Sequence, residues 1–226
     1  MRKEPVVTID GPAGAGKSTV ARRLAKRLGY RYLESGALYR ALAWALCEKG
    51  VQSEDDPKLS RLAESVTIDL EIDGRIKVDG EDVTDRLRRP GMDQWSSRFS
   101  RVPAVRAVLT KLQRSMAGAG GVVLEGRDTG SVVMPDAEVK FYLDASLEER
   151  ARRRLRDLGH LVGATASLAD VMRELEERDR ADRSRAIAPL IRPEDAHEID
   201  STTMTIEDVV KFMGKEVERI RCSTRS

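Results

Sequence analysis

Gly11-Pro12-Ala13-Gly14-Ala15-Gly16-Lys17-Ser18 decides how this chain is read. The stretch has the form G-x-x-x-x-G-K-[ST], and its flanks have the matching character. Pro5-Val6-Val7-Thr8-Ile9-Asp10 is a short apolar run suited to a buried strand. Thr19 to Leu28 carries Val20, Ala21, Leu24, Ala25 and Leu28 at helical spacing. Strand, glycine-rich loop and helix, in that order, make a phosphate-binding loop. The glycines let successive backbone N–H groups turn inward around phosphate oxygens. The helix N-terminus adds unpaired N–H groups and partial positive charge. Lys17 is expected to reach the β- and γ-phosphates of a nucleotide, and the Ser18 hydroxyl to sit on Mg²⁺.

Outward from this loop the periodicity alternates. Tyr30-Arg31-Tyr32-Leu33 is a short strand candidate, and Gly36 to Lys49 is helical with Leu38, Leu42, Ala45 and Leu46 on one face. Val122-Val123-Leu124 and Val139 to Leu143 have the continuous apolar character of central parallel strands. Ser146-Leu147-Glu148-Glu149 reads as a helix start with a capping box. His197 to Asp200 is the expected last strand, and Ile206, Val209, Val210, Met213, Val217 and Ile220 mark the last helix, with a fraying tail after Arg221. Strands alternating with helices predict a parallel sheet with right-handed crossovers. The expected fold is an α/β P-loop domain of three α/β/α layers around a five-stranded parallel sheet. One segment breaks the pattern. Val66 to Thr84 alternates with period two around Asp73-Gly74 and Asp79-Gly80, both hairpin turn pairs, and a helix opened by Pro103 follows. Residues 55–117 are therefore expected to be an inserted subdomain with a small antiparallel sheet. Residues 1–54 and 118–226 then form the core.

Composition narrows the function. In 226 residues, 40 Lys and Arg nearly balance 38 Asp and Glu, for a net charge of +2, which argues against a protein that coats nucleic acid. Only three Phe are present, with no aromatic-basic interleaving for base stacking. Cys47 and Cys222 stand far apart, as a helix-face and a tail residue, so a reducing, cytoplasmic compartment is expected. His160 and His197 are isolated and read as structural. No apolar run reaches spanning length, so no membrane association is expected. No apolar stripe stands out beyond the core faces, and a monomer is the expectation.

Two further clusters carry chemistry. The chain contains no asparagine, so it lacks the Asn-Lys-x-Asp element with which GTPases read guanine. Val122-Val123-Leu124 runs into Glu125-Gly126-Arg127-Asp128. Glu125 falls where an acid would hold the metal-bound water. Arg127 places a planar cation suited to phosphate beside it. An ion-paired turn is the alternative. Further on, Arg178, Asp182 and Arg185 fall at i, i+4 and i+7, and Asp179 and Arg183 are expected to pair at i, i+4. This stripe is either a solvated ladder of ion pairs or part of a lid, at about residues 155–190, that brings guanidinium groups onto a transferring phosphoryl.

Taken together, these residues resemble the bacterial cytidylate kinases. The resemblance rests on Ile9-Asp10-Gly11-Pro12, on Ser35-Gly36-Ala37-Leu38-Tyr39-Arg40 and on Glu125-Gly126-Arg127-Asp128-Thr129-Gly130 with Pro135-Asp136-Ala137. It extends to Arg178-Asp179, Asp182, Arg185, Ala188-Pro189-Leu190 and Asp200-Ser201-Thr202, so it covers nearly the whole chain. It implies phosphoryl transfer from ATP, with Mg²⁺, to CMP and dCMP. It implies ATP binding by Gly11, Pro12, Ala13, Gly14, Ala15, Gly16, Lys17, Ser18 and Thr19. It implies a CMP site of Ser35 and Arg40 on the phosphate side, Arg127 on the acceptor phosphate, and Ser97, Arg106 and Asp128 on the cytosine. Arg178 and Asp182 would meet the sugar hydroxyls and Arg185 the phosphates, so Lys17, Arg127 and Arg185 are the expected catalytic cations. Ser18 and, through water, Glu125 are the expected metal ligands. The family pattern usually has Asp where this chain has Glu34, which is assigned no contact. Ser97 is chosen over Ser96 for its distance from Arg106, and Ala181 stands where some members carry another arginine. Another acceptor, such as UMP, AMP or shikimate, and a non-catalytic anion-binding role remain as alternatives.

Overall fold

β1 (Val6–Asp10) is buried along its whole length, as a strand with neighbours on both edges and helices on both faces must be. The computed structural model describes residues 4–71, 74–89, 91–159 and 166–223. In chain order, β1 is followed by α1 (Lys17–Leu28), β2 (Arg31–Glu34), α2 (Ser35–Glu48), α3 (Leu59–Ser65), β3 (Ile68–Leu70), β4 (Ile76–Val78) and β5 (Glu81–Asp82). Next come α4 (Met92–Phe99), α5 (Pro103–Ala117), β6 (Val122–Gly126), β7 (Val139–Asp144), α6 (Leu147–Gly159), α7 (Leu168–Arg183), β8 (His197–Asp200) and α8 (Ile206–Ser223). A π-helical turn, Thr129–Val133, follows β6.

The main sheet is five-stranded and parallel, in the order β2-β6-β1-β7-β8. In register, Ile9 lies beside Glu125 and Phe141, and Asp10 beside Gly126 and Tyr142. Because the strands are parallel, their carboxyl ends share one edge. That edge therefore collects the loop after β1, the Glu125–Asp128 segment and the start of the chain after β7. This is where open α/β sheets place ligands. The core beneath is built from Val7, Ile9, Val123, Phe141, Leu143 and Ile199 of the strands, with Leu24 of α1 and Met213 and Val217 of α8 against them. Each fully buried side chain of this size contributes about 1.5–3 kcal/mol.

The chain divides into two compact units, residues 1–33 with 119–226, and residues 34–118. The second unit begins before the expected boundary at 55 because α2 belongs to it. α2 packs on α3, α4 and α5 and is buried nearly all round from Ser35 to Leu46. The antiparallel sheet β3-β4-β5 lies in this unit, and its Asp79-Gly80 turn has both central residues at positive φ, 48° and 86°. The expected turn at Asp73-Gly74 falls partly outside the described residues, as do His160 and part of the expected lid segment.

Two local expectations are corrected. Ser146 caps α6 through the Glu149 N–H at 3.3 Å, but the Glu149 carboxylate does not return to it; it accepts from Arg153 and Arg156 instead. The Ser146 N–H finds the Thr202 hydroxyl, so the capping box is half made. α8 continues through Cys222 to Ser223 rather than ending at Arg221. His197 packs its ring on Phe141. No helix among the described residues is long and apolar enough to cross a membrane.

Candidate active site

The loop after β1 is held by its own geometry and by two helices. A Cβ at Gly11 would stand 2.0 Å from the Leu143 carbonyl oxygen, so only glycine lets the chain leave β1 this close to β7. Gly16, at φ 88°, turns the chain into α1. The Ala13 N–H donates to Asp179 at 3.2 Å, and the Ala13 carbonyl accepts from Arg150 at 2.9 Å. Arg150 and Asp179 are themselves paired at 2.6 Å and buried. Both polar groups of one loop residue are thus held by one buried ion pair from α6 and α7. The expected Asp179–Arg183 pair is therefore not formed: Asp179 turns to Arg150 and the Ala13 N–H instead. Arg153 adds a bond to the Ala15 carbonyl at 3.3 Å. Sequence reasoning missed Arg150 and Arg153. They stand among several arginines of α6, and nothing in the spacing marks which ones turn inward.

Lys17 is only 5% exposed, and its ammonium donates to the Pro12 carbonyl at 2.7 Å. Burial lowers its pKa to about 7, with the Arg127 charge adding to the effect and Glu125 and Asp10 opposing it. Ser18, at the exposed start of α1, donates to the Glu125 carboxylate at 2.8 Å. The same carboxylate oxygen accepts from the Tyr32 hydroxyl at 3.4 Å. The expected metal pair is thus brought together. Two hard oxygen ligands fit Mg²⁺, which takes few protein oxygens and fills its remaining positions with phosphate and water. Among the described residues no group of three or more His, Cys, Asp or Glu could form an all-protein cage.

Beyond Glu125, Arg127 donates through Nε to Asp182 at 2.8 Å, and Arg185 pairs with the other oxygen of the same carboxylate. The Asp182 side chain is 3% exposed, so this is no solvated ladder. Burial raises the Asp182 pKa, but Arg127 and Arg185 outweigh burial and hold it below the ordinary carboxylate range, with Arg178 contributing. Asp128, also buried, precedes the π-helical turn. Asp10 was given no chemical role by sequence reasoning. It accepts the Thr129 N–H at 2.8 Å, the Thr129 hydroxyl at 2.7 Å and the Gly130 N–H at 2.7 Å. Burial raises its pKa to about 6 despite these bonds, and the Asp128 charge pushes the same way.

The second unit carries the other expected residues. Ser35 is buried at the first position of α2. Arg40 bonds Glu34 at 2.5 Å and lies 3.6 Å from Asp93. Glu34 therefore has a partner that its sequence position did not announce. Arg106 is 4% exposed, donates to the Ser100 carbonyl at 3.2 Å and lies 5.6 Å from the Tyr39 ring centroid. The Ser100 hydroxyl donates to the Ser97 carbonyl at 2.7 Å, so Ser97 and Arg106 are joined through one residue.

The description of one protein family, cytidylate kinase, matches residues 7–219. A cytidylate kinase of Pelotomaculum thermopropionicum is 50% identical over 221 residues, covering 96% of this chain and 97% of the relative. A cytidylate kinase of Caldanaerobacter subterraneus subsp. tengcongensis is 44% identical over 220 residues, covering 97% and 96%. Among solved structures, an uncharacterized protein of Eubacterium ventriosum shares the fold alone, with a TM-score of 0.56 at 9% identity over 95% of this chain and 98% of that one. A match that runs from β1 into α8, at such identity over full-length relatives, settles the kinship: the chain belongs to the cytidylate kinase family.

Proposed function

We propose that this protein transfers the γ-phosphoryl group of ATP to CMP and dCMP, giving ADP and the nucleoside diphosphate. The observation that carries the reading is the short path from Glu125 to Arg127. Glu125 bonds Ser18 of the phosphate loop, and two residues later Arg127 is aimed by the buried Asp182. A metal-binding acid and a phosphate-binding cation thus leave the end of one strand, β6.

The acceptor oxygen belongs to a phosphate that is already ionised at neutral pH, so transfer needs no general base. What the chain supplies is position and charge. The backbone N–H groups of residues 14–19 cradle the ATP phosphates, and Lys17 reaches the β- and γ-oxygens. Arg127 and Arg185 hold the phosphates between which the group moves, and Asp182 fixes both guanidiniums. Ser18 directly, and Glu125 through water, would hold Mg²⁺, which supplies charge neutralisation on the phosphate oxygens.

Selection of the acceptor follows from hydrogen-bond polarity. Cytosine offers an N4 amino donor, which Asp128 accepts, and N3 and O2 acceptors, which Arg106 and the Ser97 hydroxyl serve. Uracil reverses the polarity at position 4 and presents N–H at position 3. Each buried group left unpaired costs about 1–3 kcal/mol, so CMP is preferred to UMP. Ser35 and Arg40 meet the CMP phosphate side, and Arg178 and Asp182 the sugar hydroxyls. The Asp182 carboxylate retains lone pairs beyond those used by Arg127 and Arg185.

The test is ADP release with ATP and Mg²⁺ against CMP, dCMP, UMP, AMP, GMP and shikimate. Turnover confined to CMP and dCMP is expected. ATP binding with no turnover on any acceptor would replace the kinase reading with a binding role.

A further inference from the structure

Thr8 and Asp10 are two apart on β1 and therefore point to the same face of the sheet. The π-helical turn Thr129–Val133 lies on that face. Asp10 accepts from the Thr129 N–H, the Thr129 hydroxyl and the Gly130 N–H, which are the first donors of the turn. Gly130 is pressed into the same place: a Cβ there would stand 2.7 Å from the Thr8 hydroxyl, 3.4 Å from the Asp10 carboxylate and 3.4 Å from Lys140. The Asp128 carbonyl closes the turn by accepting from the Val132 and Val133 N–H groups. Residue 128 is thus bounded on its C-terminal side by a segment that cannot shift without breaking three bonds to Asp10. On its N-terminal side stands Arg127, bonded to Asp182.

We propose that Asp10 is a positioning residue for base selection: through Thr129 and Gly130 it sets where the Asp128 carboxylate stands. The inference rests on the reading above that Asp128 accepts the N4 amino group of cytosine. Asp10 is assigned no contact with substrate. It is buried at the end of β1, 1% exposed, and its three donors belong to the turn. A carboxylate is the group the place requires, because three donors converge on its two oxygens. An amide there would aim its own N–H groups at one of them.

The readout is the ratio of kcat/KM for CMP to that for UMP, measured at the same ATP concentration. Damage to ATP binding, to Lys17 or to overall stability lowers both values and cancels in the ratio. Displacement of Asp128 does not cancel. Asp10→Asn is expected to reduce the ratio by about tenfold. Thr129→Val, which removes one of the three donors, is expected to reduce it less, and Thr129→Ser to restore it. Asp128→Asn is measured alongside. If Asp128→Asn leaves the ratio unchanged, the reading of Asp128 fails, and the role of Asp10 falls with it. If Asp128→Asn collapses the ratio while Asp10→Asn and Thr129→Val lower CMP and UMP activity alike, Asp10 is only structural and the inference alone is overturned. Should Asp10→Asn not fold, the pair of Thr129 variants decides the question by the same ratio.

Discussion

Asp182 receives the Arg127 Nε at 2.8 Å from 55 positions along the chain, and its second oxygen holds Arg185. One buried carboxylate therefore fixes two of the cations assigned to the transferring phosphate. Asp182→Ala releases both guanidiniums and, on the proposed reading, removes a sugar contact. The expected outcome is a loss of kcat/KM of roughly 100-fold or more, unequal between CMP and dCMP because only one of them carries the 2′-hydroxyl. Steady-state kinetics with both acceptors checks this. Equal losses would leave Asp182 as a fixer of arginines with no sugar contact.

Lys17 is expected to link pH to ATP binding. Its folded pKa, about 7, lies below the ordinary 10.5, because burial and Arg127 disfavour the ammonium. Between those values the unfolded chain holds more protons than the folded one, so this group makes stability rise with pH through that window. Replacing it by methionine is expected to stabilise the protein most below about pH 7, with the gain shrinking as pH rises. Urea unfolding at pH 6 and pH 9 reads the difference, and a gain that grew with pH would contradict it.

Phosphate oxygens arriving at Lys17 favour the ammonium and should draw a proton. At pH 8, binding of an ATP analogue is expected to take up protons in the wild type and none at this site in Lys17→Met. Calorimetry in two buffers of different ionisation enthalpy counts them. Binding without uptake would mean that the amine is already charged in the free protein. Lys17→Met and Lys17→Ala should both keep the fold and lose turnover by roughly 10³-fold or more.

The Arg150–Asp179 pair holds both polar groups of Ala13. Arg150→Ala leaves the buried Asp179 carboxylate without its cation and should cost about 3–5 kcal/mol, whereas Asp179→Ala leaves Arg150 with Asp144 at 3.8 Å and should cost less. The double variant is expected to cost less than the sum of the two singles. A double-mutant cycle by urea unfolding measures the coupling. Strict additivity would show that each residue acts alone. Each single variant should also weaken ATP binding, because the loop loses its fixed Ala13 peptide.

Glu34 and Arg40 are each 23% exposed at the side chain and joined at 2.5 Å. At such exposure the pair is worth about 1 kcal/mol or less to stability. Its expected value lies in aiming Arg40. Glu34→Gln should leave the melting temperature nearly unchanged, raise KM for CMP several-fold and leave KM for ATP alone. An unchanged CMP KM would reduce Glu34 to a surface ion pair.

The chain itself determined the phosphate loop, the alternating strands and helices, the parallel sheet and the antiparallel segment. These depend on local steric rules, on periodicity and on a short motif, all of which are written along the chain. Only the tertiary structure decided which charges meet. Asp179 looked like a partner for Arg183 at i, i+4, yet it bonds Arg150 and the Ala13 N–H. Asp182 could have been one rung of a solvated ladder, yet it is buried between Arg127 and Arg185. Asp10 looked like the polar end of a strand, yet it anchors the turn after Asp128. A helix face offers the same spacing to a solvated pair and to a buried one. Burial makes the difference, because it removes water as a competing partner, and burial follows from how distant elements pack.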